Sequence, residues 1–304
     1  MSVAIETEGL TKRYGRKARG IEDVNLVVAP GEVFGFLGPN GAGKTTTIRM
    51  LLGFLRPTGG HARVFGLDVR RKSVEIRTRV GNLPGEFALE DRMTGEGLLR
   101  FFARLRGVGD LGYAHELAER LGADLRRPMR RLSRGNKQKI GLVQAMFHRP
   151  PLLILDEPTG GLDPLVQEEF LDIVEETKAE GRTVFFSSHV LSEVERVCDR
   201  VGIIRDGQLM TVEPTHALVD KAFRHVILTF DGPVDREPFE KLRGVENLKV
   251  EGPRVSLTLH ETPDEMVKLA ARHRLVSLEY ERPTLEEIFL TYYGKTEVKE
   301  ENNE

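Results

Sequence analysis

The sequence predicts an α/β fold built on a parallel sheet, and three observations carry that reading. Short apolar runs from Glu32 to Leu37, Leu152 to Leu155 and Thr183 to Ser187 have the texture of buried strands. Each runs into a polar or Gly-rich turn and then a helical pattern. From about residue 86 to 149 the texture changes to helical periods throughout, as in a helical insert within an α/β core.

Size and composition leave room for this architecture. The 304 residues suffice for two domains, or for one large domain with an appendage. Hydrophobic residues make up 39% and charged residues 30%, a balance that suits a globular chain. No apolar run approaches the ~18 residues that a membrane span requires. The start, Met1 to Glu6, lacks the basic and apolar stretches of a signal peptide. The single cysteine, Cys198, excludes an internal disulfide and fits a reducing compartment. It falls in an amphipathic pattern from Leu191 to Asp199, which predicts a packed thiol. A formal net charge of −2 gives no global attraction to nucleic acid.

In chain order, residues 3–8 and 22–28 read as strands, and Pro30-Gly31 turns the chain into the strand 32–37. The polar segment Thr11 to Arg16 between them is expected to be a loop. Its one aromatic, Tyr14, offers a ring face for stacking on a nucleobase. Next comes Gly38-Pro39-Asn40-Gly41-Ala42-Gly43-Lys44-Thr45-Thr46, followed by a helix that stops near Gly53. A Gly-rich turn between strand and helix aims several backbone N–H groups, and the helix's positive dipole end, at one point. Lys44 adds a full charge for β- and γ-phosphates, and the Thr45 hydroxyl is placed to ligate Mg²⁺. This is the P-loop pattern in its strand-to-helix context.

The insert holds helical patterns from Gly95 to Leu105, Tyr113 to Leu121 and Ser133 to Phe147. The strand 152–155 then ends at Asp156-Glu157, so two carboxylates emerge at the carboxyl end of a strand, where parallel sheets bind ligands. Asp163-Pro164 supplies an N-cap and a first-turn proline for a helix running to Gly181. The next strand ends at Ser188-His189; a helix follows, then Val201 to Arg205, turned back at Asp206-Gly207 as a hairpin. After about residue 218 the order strand, helix, strand, strand, helix, strand suggests a small ferredoxin-like unit. A short helix from Thr284 to Tyr293 and a charged, disordered tail from Lys295 complete the expected layout.

The ordered set of motifs is more specific than any one of them. With the P-loop, the segment Leu132-Ser133-Arg134-Gly135-Asn136-Lys137-Gln138, the run Asp156-Glu157-Pro158-Thr159-Gly160-Gly161-Leu162-Asp163 and then His189, the sequence resembles the ATP-binding subunit of an ATP-binding-cassette (ABC) transporter over roughly residues 3–215. The resemblance implies a RecA-like P-loop NTPase core with an antiparallel β subdomain. It implies a layout of 1–218 for the ATPase domain with its helical subdomain at about 86–149, 219–294 for a C-terminal α+β domain, and 295–304 for the tail.

Residue roles follow from the same resemblance. Asp156 holds the Mg²⁺ shell opposite Thr45, Glu157 orients or deprotonates the attacking water, and His189 bonds the γ-phosphate and steadies the water and Glu157. Tyr14 stacks on adenine, residues 38–46 cradle the phosphates, and Lys44 is catalytic. Ser133 and Gly135, at the start of a helix, meet the γ-phosphate held by a second copy, and Asp163 lies in the loop that meets that copy. One P-loop and one signature per chain imply a twofold homodimer around two ATP.

Two motifs depart from the common family pattern. The signature usually reads Leu-Ser-Gly-Gly-Gln, and here Arg134 and Asn136 replace its first glycine and its glutamine. Where a glutamine reaching the metal and the water is expected, the chain has Gly85, with Glu86 next to it as a substitute. The basic cluster Arg126, Arg127, Arg130, Arg131, Arg134, Lys137 and Lys139 has no interleaved aromatics, which favours a solvated or phosphate-steering face over nucleic-acid binding.

A chain without a span must borrow one in order to transport. By resemblance, Phe87 and the helix Leu98–Leu105 face a separate membrane permease, which places the subunit at the cytoplasmic face of the cell membrane. The ending Arg282 to Leu290 is similar to ATPase subunits of ABC-2-type, daunorubicin-resistance-type exporters. Export of a drug, lipid or polysaccharide is the expected function. Two alternatives stay open: a soluble ABC ATPase acting on nucleic acid or ribosomes, and a regulatory module that binds ATP but hydrolyses it slowly.

Overall fold

A computed structural model describes residues 3–15, 19–85, 92–217, 223–281 and 283. Glu86, Phe87, Arg282, the expected helix from Thr284 and the charged tail lie outside them. The chain divides into two units, Met1–Thr215 and His216–Glu304.

The first unit is built on a six-stranded sheet. Its strands are β3 (Val33–Leu37), β6 (Val80–Leu83), β7 (Leu152–Asp156), β8 (Thr183–Ser188), β9 (Arg200–Arg205) and β10 (Gln208–Pro214), in the order β10-β9-β3-β8-β7-β6. All neighbours are parallel except β10, which returns from β9 as an antiparallel hairpin. Every residue of β3, β7 and β8 is buried, which is why their sequences are apolar without alternation. Phe34 and Phe185 stack across neighbouring strands at 5.7 Å between centroids. Parallel register aligns the strand ends: Leu37 pairs with Ser188 and Asp156 with Ser187. The turns after β3, β7 and β8 therefore open onto one edge.

A second, antiparallel sheet has the order β2-β1-β4-β5, from β1 (Ile5–Arg13), β2 (Arg19–Val28), β4 (Gly59–Val64) and β5 (Leu67–Asp68). Thr11 to Arg13, expected in a loop, belong to β1; Thr11 and Arg13 pair with Gly59 and Arg19, so cross-strand pairing overrides their polar texture. The stretch between Phe54 and Leu83 adds β4, β5, α2 (Ser73–Arg79) and β6, none of which stands out in the sequence.

Helix α1 (Lys44–Leu51) follows the P-loop, and Gly53 leaves it at φ 69°. The insert contains α3 (Gly95–Arg106), α4 (Gly112–Arg120) and α5 (Arg134–Met146). Thr94 caps α3 and Ser133 caps α5 through side-chain oxygens. Helix α6 (Pro164–Ala179) starts at its cap Asp163, and α7 (Leu191–Val197) follows β8. Cys198 is buried but forms the extended C-cap of α7 rather than lying within it; burial pushes its thiol pKa up, so the thiol is inert.

The second unit is a four-stranded antiparallel sheet in the order β12-β13-β11-β14, from β11 (Arg224–Phe230), β12 (Val245–Glu251), β13 (Arg254–Leu259) and β14 (Leu275–Glu281). Helices α8 (Glu237–Glu240) and α9 (Asp264–Ala270) complete the ferredoxin-like β-α-β-β-α-β order. Val226, Leu228, Val255, Leu257, Phe239 and Met266 form its own buried core. Among the described residues, no helix is long and apolar enough to cross a membrane.

Candidate active site

The turn from β3 into α1 wraps an open cavity of about 620 Å³. Gly43 sits at φ 110°, and a Cβ there would lie 2.5 Å from the side chain of Ile21. Gly38 is pressed as closely, since a Cβ on it would lie 2.3 Å from the Ile204 carbonyl. Both positions admit only glycine, which fixes the path of the cradle. Pro39, Asn40, Gly41, Gly43, Lys44, Thr45 and Thr46 line the cavity. Among the described residues, the backbone N–H groups of Gly41 and Gly43 have no carbonyl partner in the chain. They stay available to an anion at the N-terminus of α1.

Lys44 is only 5% exposed and faces three acceptors: the carbonyls of Gly38 and Pro39, and Glu157 Oε1 at 3.0 Å. Glu157 comes from the turn after β7, where its backbone takes the left-handed value φ 51°. Its other oxygen, Oε2, meets His189 Nδ1 at 2.6 Å. The expected general base thus bridges the P-loop lysine and the histidine at the end of β8.

Asp156 lies beneath this chain of contacts, buried to 1% exposure. Thr45 Oγ1 donates to its Oδ2 at 2.7 Å, and Ser187 Oγ donates to its Oδ1 at 2.6 Å. Ser187 Oγ also accepts from the Glu157 N–H at 3.0 Å, so one hydroxyl holds both acidic residues. A hydroxyl and a carboxylate oxygen at contact distance are a hard donor pair, which fits Mg²⁺. Among the described residues no cluster of three or more His, Cys, Asp or Glu could hold a metal, so the remaining ligands would be phosphate and water oxygens.

Tyr14 stands at the cavity mouth, 51% exposed, with its ring against Gly20 and its hydroxyl 3.4 Å from Thr46 Oγ1. Gly85 lines the cavity too; a Cβ there would lie 2.9 Å from Asp156 Oδ2, so any side chain at this position would aim at the Thr45–Asp156 pair.

The signature residues divide. Ser133 Oγ caps α5 by accepting from the Asn136 N–H, and Asn136 Oδ1 accepts from the Asp124 N–H at 2.9 Å, which gives that replacement a local structural task. Ser133, Gly135 and Asp163 do not line this cavity. Asp163 caps α6 through Val166 and faces Lys139 at 3.6 Å. Arg134 and Gln138 do line it. Gln138 Nε2 donates to the carbonyls of Glu157 at 3.1 Å and Pro158 at 3.0 Å, tying α5 to the turn that carries the carboxylate. Neither Gln138 nor Ser187 stands out in the sequence, because their tasks exist only once distant elements meet.

The family profile described as ABC transporter matches residues 21–160. The bacitracin transport ATP-binding protein BcrA of Bacillus licheniformis is 40% identical over 220 residues, covering 70% of this chain and 71% of that protein. The linearmycin resistance ATP-binding protein LnrL of Bacillus subtilis is 31% identical over 308 residues, covering 96% of this chain and 99% of that protein. A solved ATP-binding subunit of an ABC transporter superposes with a TM-score of 0.64 at 31% identity, covering 71% of this chain and 91% of that one. The chain belongs to the ABC transporter family as an ATP-binding subunit, an ATPase.

Proposed function

We propose that this ATPase closes as a homodimer around two ATP and drives a separate membrane permease at the cytoplasmic face of the membrane, with export as its direction. The observation that carries the hydrolytic part is the continuous contact Lys44–Glu157–His189 above the Thr45–Asp156 pair. The triphosphate lies along the P-loop, with Tyr14 on the adenine. Lys44 then turns from Glu157 to the β- and γ-phosphates. Glu157, released from the lysine, orients the attacking water and takes its proton, while His189 keeps the carboxylate in place. Thr45 and Asp156 would hold Mg²⁺, which supplies charge neutralisation at the phosphates. Ser133 and Gly135, which do not line their own cavity, are the residues offered to a second copy at the N-terminus of α5.

Export is supported by the relatives' printed roles in bacitracin transport and linearmycin resistance. A permease contact is supported by exposed Phe101 and Leu105 on α3 and Val74 on α2. Val74 and Leu105 line an apolar groove of about 710 Å³. The alternative of a slowly hydrolysing regulatory module draws on one observation, the missing side chain at Gly85.

One experiment separates these readings. Glu157→Gln lowers the ATPase rate by at least ~100-fold while ATP still binds, the size expected on loss of a general base. Equal rates in wild type and variant would overturn the assignment. Tight ATP binding with no turnover in wild type would favour the regulatory module.

A further inference from the structure

We propose that Arg134 is a direct ligand of the terminal phosphate, a role that the signature's usual glycine cannot fill. It is the first residue of α5, immediately after the cap Ser133, and its side chain is exposed. Among the described residues its guanidinium has no carboxylate or carbonyl partner. The stem runs along the turn that follows Glu157: a Cβ placed on Gly161 would touch Arg134 Cγ and Cδ at 3.9 Å. From there the side chain lines the same cavity as Lys44, Thr45, Glu157 and His189.

Charge gives this cation a task. Lys44, which faces the Glu157 carboxylate at 3.0 Å, has on the reading above a single charge to divide between the β- and γ-phosphates. Gly85 contributes no side chain to the wall it forms. A guanidinium entering from α5 supplies the missing donors, and its planar fork suits two phosphate oxygens at once. It acts on the charge of the terminal phosphate, present in ATP and absent from ADP.

The assignment rests on the nucleotide-site reading above, and its test reads binding as well as turnover. Fluorescence titration with ATP and with ADP is carried out on wild type, Arg134→Gly and Arg134→Lys, each checked for an unchanged melting temperature. The glycine variant weakens ATP about ten- to a hundredfold, as loss of a charge-assisted bond does, and leaves ADP within about twofold. The lysine variant retains part of the ATP affinity, and kcat falls in the same order. The gap seen in dilute monomer assigns the contact to the same chain's nucleotide. A gap that grows only as dimer forms assigns it to the twin's, and either result supports the phosphate contact. Equal losses for ATP and ADP, or no loss for either, overturn it. Wild type that fails to bind ATP overturns this assignment together with the nucleotide-site reading.

Discussion

Glu157 combines two demands that pull against each other at a single residue. Its carboxylate must lie between Lys44 and His189, and the backbone reaches that point only in the left-handed region at φ 51°. A residue with a Cβ gives up about 1 kcal/mol there relative to glycine. Glu157→Gly is therefore more stable than Glu157→Ala by about 1 kcal/mol in denaturant titration, although both lack the same carboxylate and both lose hydrolysis. Equal stabilities would show that the turn carries no strain. Lys44, Thr45, Asp156, Glu157 and His189 were legible as candidates that the fold brings together, because each lies at or just past the end of a buried strand that advertises itself by its apolar run. The left-handed turn and the lysine–glutamate pair were not legible, since they depend on how close the ends of β3, β7 and β8 come.

At the scale of elements, α5 is the part that reaches the site through a neighbour. Gln138 holds the carbonyls of Glu157 and Pro158, and Gln138→Leu leaves both without that donor. The expected cost is ~1–3 kcal/mol of stability. Because the contact is to the backbone of the turn that carries Glu157, kcat is expected to fall while KM for ATP changes little, a split read from steady-state kinetics. The groove between α2, α3 and the turn after α5 holds a second element-level property. His148 lines it, and burial, reinforced by the nearby Arg106 charge, lowers its pKa from 6.5 to about 3. The imidazole is thus neutral in the folded chain, whereas the unfolded chain takes up a proton below pH 6.5. Stability is full above pH 6.5 and falls as pH drops toward 3, by at most ~1.4 kcal/mol per pH unit, a ceiling lowered by the water that reaches the groove. His148→Gln flattens that slope in melts recorded from pH 7 to pH 5. The helices of the insert were legible from their periods and caps, whereas α2 and β6, seven and four residues long, were too short to show a period.

The whole molecule consists of two units with separate cores, and the groups proposed to be catalytic all belong to the first. Ser133, Gly135 and Asp163, which do not line its cavity, are the residues that the proposed function gives to a second copy. Light scattering on Glu157→Gln accordingly shows the mass doubling with ATP and staying monomeric with ADP; a monomer at saturating ATP would contradict the shared site. The order of strands and helices was legible in the second unit and, outside residues 54–83, in the first, down to the hairpin at Asp206-Gly207. In the antiparallel β2-β1-β4-β5 sheet, which the resemblance implies as a subdomain, β1 and β2 were legible as strands and β4 and β5 were not, because β4 carries polar residues on the face turned from the core and pairs with β1 over a long separation.

The contact between Lys44 and Glu157 also bears on the interval between turnovers. Glu157 Oε1 lies 3.0 Å from Lys44 Nζ, the position of a counter-ion to the lysine that the proposed function gives to phosphate. Free sulfate or orthophosphate must displace a tethered competitor before it can lodge there, whereas a full nucleotide brings its base and sugar to help. On the proposed function, selectivity against stray anions is the expected consequence of that contact.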